Sequence, residues 1–202
     1  MIYENNGVYV QGHVLARDPE TREIYVNKWN AIHYENMSIA LAGSIGGLTN
    51  GPIAEMSFGN GGTSIDPTGV ITYLTPNSTG ANAGLYNETY LKLVDGNNAQ
   101  NLDPTRNNME VRHVSGANYT DIVVTCLLDY GEPDGQDAFD TATDTESSFV
   151  FDELGLRSYG DTGSGSGRLL THIIFHPVQK SLNRLLEIIY TVRIQSLSGG
   201  NS

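Results

Sequence analysis

Apolar residues in this chain come in short runs, and Gly, Pro, Asn or Asp closes nearly every one of them. From residue 49 onward, runs at 53–58, 70–74, 86–94, 109–114 and 120–130 are separated by segments rich in turn formers. That spacing suits strands joined by turns, as in a sandwich or barrel, and leaves little room for long amphipathic helices. The longest runs, at 122–128 and 185–189, fall far short of the roughly 20 residues of a membrane-spanning helix.

The ends of the chain carry the clearest alternation. Val8, Val10, Gly12 and Val14 share one parity, while Tyr9, Gln11, His13 and Leu15 share the other. Asp18-Pro19-Glu20-Thr21 then turns the chain into a second strand at 23–27. Residues 149–159 and 168–176 pair across the flexible tip Gly160-Asp161-Thr162-Gly163-Ser164-Gly165-Ser166-Gly167. The last strand, 185–194, puts Leu186, Ile188, Tyr190, Val192 and Ile194 on one face and Leu185, Glu187, Ile189, Thr191 and Arg193 on the other.

After Trp29, read as a packing residue, the apolar period lengthens and predicts a helix over 31–44. Asn30 caps it, Gly46-Gly47 ends it, and Ile32, Met37, Ala40 and Leu41 form its buried face. Residues 131–147 form an acidic exposed loop with one helical turn at 137–139. The expected fold is mainly β: a β-sandwich or jelly-roll-like single domain over 1–195 with one helix in its N-terminal half. A flexible tail follows at 196–202.

Eleven basic against 23 acidic residues give a net charge of −12. That sign is wrong for gripping nucleic acid or an anionic membrane through phosphates, so neither is an expected partner. The N-terminus lacks the basic and apolar regions of a secretory leader. The lone Cys126 sits inside an apolar run and reads as a buried thiol.

No residue pattern supports catalysis, a cofactor or a metal. On a strand His172 and His176 share a face about 13 Å apart, too far to chelate one ion. His33 reads as a capping or packing residue. Gly163-Ser164-Gly165-Ser166-Gly167 mimics a nucleophile elbow without the following helix. Phe58-Gly59-Asn60-Gly61-Gly62 lacks the Lys of a phosphate loop, and tight turning through positive φ explains its glycines. Asp134, Asp137, Asp140 and Asp144 lack EF-hand spacing and read as solvated surface. Asp152 and Glu153 fall on opposite faces of a strand, so they are no acid–base pair.

Several phrases resemble virion structural proteins of tailed bacteriophages. They are Gly12-His13-Val14-Leu15-Ala16-Arg17-Asp18-Pro19-Glu20-Thr21, Asn30-Ala31-Ile32-His33, Phe58-Gly59-Asn60-Gly61-Gly62, Phe149-Val150-Phe151-Asp152-Glu153-Leu154-Gly155-Leu156, and the stretch from Leu170-Thr171-His172 to Ile194. The resemblance implies a non-enzymatic subunit, made in the host cytoplasm and assembled into a homo-oligomeric ring in the virion. The neck or collar, where head meets tail, is the expected station, with other neck or tail proteins as neighbours and passing DNA as a passive contact. Baseplate, head decoration, or a receptor- or carbohydrate-binding module are the alternatives. The mixed face of the last strand (Leu185, Glu187, Ile189, Arg193), or an unpaired edge of that strand, is the expected subunit contact.

Overall fold

The computed structural model describes residues 7–138 and 148–197. Along the chain run β1 Gly7–Arg17, β2 Ile24–Trp29, β3 Ala31–Ile32, α1 Tyr34–Ile45, β4 Ile53–Gly59, β5 Thr63–Ile65 and β6 Ile71–Tyr73. There follow β7 Glu88–Leu93, β8 Asn108–His113, β9 Tyr119–Leu128, β10 Ser148–Ser158, β11 Leu169–Ser181 and β12 Leu186–Leu197. Strands take up 49% of the described residues and helix 7%, so the fold is mainly β as the turn-rich sequence predicts.

Sheet A has the order β2-β1-β12-β9-β8 and sheet B the order β3-β11-β10-β4-β7, while β5 and β6 form a separate ribbon. Every pairing is antiparallel. Period-two alternation places Val14, Ala16, Val124, Cys126, Ile188, Tyr190 and Val192 on one side of sheet A. They share a single hydrophobic cluster with Phe58, Phe151, Leu154, Ile173 and Phe175 of sheet B. The sheets also touch through polar atoms, since Lys28 Nζ donates to the Ile174 carbonyl across 2.9 Å.

Several local expectations need correction. The helix starts at Tyr34, because Ala31 and Ile32 pair with His172 and Thr171 as β3. His33, not Asn30, is its N-cap: Nδ1 accepts the Asn36 N–H at 3.2 Å. Of the predicted face, Ile32, Met37 and Ala40 are buried and Leu41 is partly buried against the same core. Trp29 does not pack into the junction; it is 62% exposed, and its ring meets that of His13 in an edge-on contact.

The final strand has no open edge. β12 lies between β1 and β9 and pairs with both, Gly7 facing Leu197 at one end and Leu186 facing Leu128 at the other. Pairing with β1 also carries the strand through Ser196 and Leu197, which the tail was expected to include; the rest of that tail lies outside the described residues. β11 runs on past Pro177 to Ser181. The register with β10 shifts there, Phe151 facing Val178 and Glu153 facing Ile174, so the missing proline N–H falls in an irregularity of the ladder. The 160–167 tip joins β10 to β11 as expected, yet it is anchored: buried Glu55 accepts the Gly165 N–H at 2.9 Å and the Ser164 hydroxyl. Most of the acidic loop, with Asp140, Asp144 and the end of the expected turn at 137–139, lies outside the described residues.

Candidate functional site: the outer face of sheet A and the buried polar groups behind it

The core occupies one side of sheet A, so residues of the other parity form its outer face. Across β1, β12 and β9 this face reads in rows: Gln11, Arg193 and Asp121; His13, Thr191 and Val123; Leu15, Ile189 and Thr125; Arg17, Glu187 and Leu127. The β1 and β12 members are half-buried. Three of the four residues expected at a subunit contact, Glu187, Ile189 and Arg193, therefore share this surface. Leu185 lies in the turn before β12 and is half-buried there.

Two ion pairs bracket the apolar centre made by Leu15 and Ile189. At one end Arg17 Nε donates to Glu187 Oε2 at 2.6 Å. At the other, the Arg193 guanidinium grips Asp121 through two bonds, 2.7 and 2.9 Å long, and lies 3.8 Å from the Tyr119 ring centroid. Hydrogen bonding to Arg193 holds the Asp121 carboxyl below its usual range, and the same bond raises the guanidinium. Forked pairing and ring stacking fix this arginine in one geometry.

Behind this face, in sheet B, the structure brings together Asp152, Glu153 and His172, which the sequence pattern leaves apart. The register shift between Phe151 and Glu153 breaks simple alternation, and Asp152 and Glu153 both turn to the loop after β4. Asp152 accepts the N–H groups of Gly62 and Thr63, each at 2.8 Å, and the Thr63 hydroxyl. Glu153 accepts from Gly61 (3.1 Å), Tyr86 (3.0 Å), Asn87 (2.8 Å) and His172 Nε2 (2.9 Å). His172 Nδ1 accepts the Asn77 N–H at 2.8 Å, so the proton resides on Nε2.

Burial works to raise both carboxyl groups. In Asp152 it prevails, whereas in Glu153 the hydrogen bonds from His172, Asn87 and Tyr86 outweigh it and the group is lowered. Every lone pair of Glu153 is directed at a protein donor, which makes it a loop anchor. The signal in the sequence is a polar residue inside an apolar strand run, as in Phe149-Val150-Phe151-Asp152-Glu153-Leu154 and Leu170-Thr171-His172-Ile173.

The glycines at 59–62 serve the same junction, and none has positive φ. A Cβ on Gly59 would stand 2.6 Å from Glu153 Oε1, and one on Gly61 would stand 2.7 Å from the Asn87 nitrogen. Close approach, not turning, requires them. His172 and His176 also part company: the first is wholly buried and the second exposed, because the same irregularity breaks the parity between them.

A second buried cluster surrounds Lys180, whose ammonium donates to the carbonyls of Asp129 (3.0 Å), Glu132 (2.6 Å) and Ser181 (2.9 Å). Burial pushes it down to about 8, against the pull of Glu132 and Asp129. Cys126 is fully buried, and burial pushes its thiol up to about 12, well away from the reactive thiolate range. Among the described residues no three His, Cys, Asp or Glu side chains are placed to hold a metal ion.

Arg157 floors a recess of about 420 Å³ beside the 160–167 loop. It is committed to Glu88 (2.7 Å), Ser57 (3.0 Å) and the Gly167 carbonyl (2.7 Å), which joins β4, β7 and that loop. No protein-family model, no curated protein and no solved structure matches the chain.

Proposed function

We propose that this chain is a structural subunit of a tailed-phage virion, assembling into a ring at the neck or collar through the outer face of sheet A. The observation that carries the reading is the composition of that face. Leu15 and Ile189 form an apolar centre, and Arg17–Glu187 and Arg193–Asp121 are charged borders held in fixed geometry. An apolar centre with a polar border is the anatomy of a protein interface. In this reading the two sheets are the layers of a sandwich, and neighbouring copies meet through a heterologous contact that rotational symmetry closes.

The polar residues that look most chemical support a scaffold. Glu153, His172, Lys180 and Arg157 spend their hydrogen bonds inside the chain. A ring of subunits, each with net charge −12, would also repel DNA phosphates and let a genome pass without adhering. Localising the chain in a cryo-electron microscopy map of the virion tests the proposal. Density at the head–tail junction, with Ile189 facing a neighbouring copy, is the expected result; absence of the chain from purified particles overturns it.

A further inference from the structure

Trp29, Tyr34 and Tyr9 come from three different elements and open onto one recess of about 340 Å³. They are 62%, 67% and 44% exposed. The recess exists because β2 ends at Trp29, where the chain turns through Asn30 into β3 and α1. From Tyr9 to Gln11, β1 has no strand neighbour on that side among the described residues. Asn30 lies beneath: its N–H donates to the Gly12 carbonyl at 3.0 Å, and its amide donates to the Ala31 carbonyl and the Tyr190 hydroxyl. Gly12 permits this, since a Cβ there would stand 2.7 Å from Asn30 Cγ. The edge of His13 meets the Trp29 ring at 5.1 Å between centroids and orients it.

The wall selects the ligand class. Three large aromatic rings left in water on one concavity mark a binding surface. Among the described residues no charged side chain lines the recess, although the chain carries 11 basic and 23 acidic residues. That wall offers nothing to pair with a phosphate or carboxylate. It suits a molecule with apolar C–H faces for the rings and neutral hydroxyls for Gln11, Ser78 and the open β1 backbone. The volume sits near the lower end of the roughly 300–1,000 Å³ of small-ligand sites. We infer that the recess binds a neutral saccharide, with Trp29 and Tyr34 as its stacking platforms and Gln11 and Ser78 as its hydrogen-bonding partners. Gln11 also ends the Arg193 row of the outer face, so the recess borders the proposed subunit contact and is open in the unassembled chain. A peptide added along the open β1 edge is the competing occupant, but strand addition draws on backbone groups and calls for no cluster of three rings.

Trp29 is the only tryptophan, so its emission reports on the site directly. The full chain is titrated with neutral trisaccharides of glucose, galactose, mannose and N-acetylglucosamine, up to about 10 mM, a range that detects weak sites. At least one sugar is expected to shift Trp29 emission to shorter wavelength and to reduce its quenching by acrylamide. Tyr34→Ala should weaken that sugar about tenfold, the upper range of one lost aromatic contact, with unchanged thermal melting. Tyr34→Phe, which keeps the ring, should bind as the parent does. No response to any of the four sugars, or equal binding by Tyr34→Ala, overturns the inference. Shielding of Trp29 only by an extended peptide, or only on concentrating the protein, also overturns it and assigns the recess to strand addition or to a second copy.

Discussion

His172 Nε2 donates to Glu153 Oε2 across 2.9 Å, with both side chains wholly buried, and this bond adds a β11 side chain to the carboxylate that holds the loop after β4. Glu153 holds three backbone N–H groups as well, so removing it strands several buried donors at once. Glu153→Ala is expected to lower unfolding stability by about 3–5 kcal/mol, and Glu153→Gln, which keeps one acceptor oxygen, by about 2 kcal/mol. Urea unfolding measures both.

The same carboxylate sets an acid limit. Its pKa in the folded state lies below its ordinary value of 4.5, so its stabilisation is complete above that pH and is lost as pH falls through the folded value. Asp152, which is raised, opposes this in part. Between pH 4.5 and 3 the urea midpoint of the parent should fall more steeply than that of Glu153→Gln. Parallel curves would show that other groups govern the acid transition.

Lys180 acts at the alkaline end. Its pKa is lowered from 10.5 to about 8, so the cost of holding it charged is full below about 8 and disappears as pH rises toward 10.5. Cys126 works the other way: with its thiol raised from 9.0 to about 12, stability falls once the unfolded thiol ionises above pH 9. The parent should therefore gain stability between pH 8 and 9, and Lys180→Met should lose that gain. Urea midpoints at half-unit pH steps test the pair.

Gly59 leaves no room for a methyl group beside Glu153. Gly59→Ala should cost about 1–3 kcal/mol, the usual penalty for overpacking. Gly69 has φ +86, and a methyl group added there would meet nothing within 4 Å, so Gly69→Ala should lose stability through backbone strain alone. Denaturation of the two variants in the absence and presence of Glu153→Ala separates these causes, since only Gly59→Ala, part of whose clash is with the Glu153 side chain, should be partly relieved.

Ile189 and Tyr190 are neighbours on opposite faces of β12. Ile189→Asp alters the half-buried outer face and should cost about 1–2 kcal/mol, and on the proposed ring reading it leaves a folded chain that does not assemble. Tyr190→Ala hollows the core and should cost about 3–5 kcal/mol. Thermal melting beside particle assembly tests both; normal assembly by Ile189→Asp would remove the outer face of sheet A from the contact.

Much of the fold was legible because strand alternation is a local signal. The inward parity of Leu186, Ile188, Tyr190 and Val192 follows from the spacing of apolar residues alone, and so does the burial of Cys126 within its apolar run. The helix was legible in kind but not at its start. Ala31 and Ile32 are as compatible with a strand as with a helix, and pairing with β11 decided for the strand. Asp152 and Glu153 were misread because a register irregularity leaves no mark in local alternation. Trp29 was misread because its exposure depends on where β2 stops relative to β1.

By itself the sequence determined the mainly β character, the parity of the long strands, the acidic charge and the absence of any stretch able to form a long apolar helix. These depend on residues within a few positions of one another. Only the tertiary structure decided that the first strand closes on the last, that Glu153 meets His172, and that Tyr9, Trp29 and Tyr34 surround one recess. Those relations join residues far apart in the chain. They depend on which strand edges pair and in what register, a choice made by the burial of the whole core rather than by any short segment.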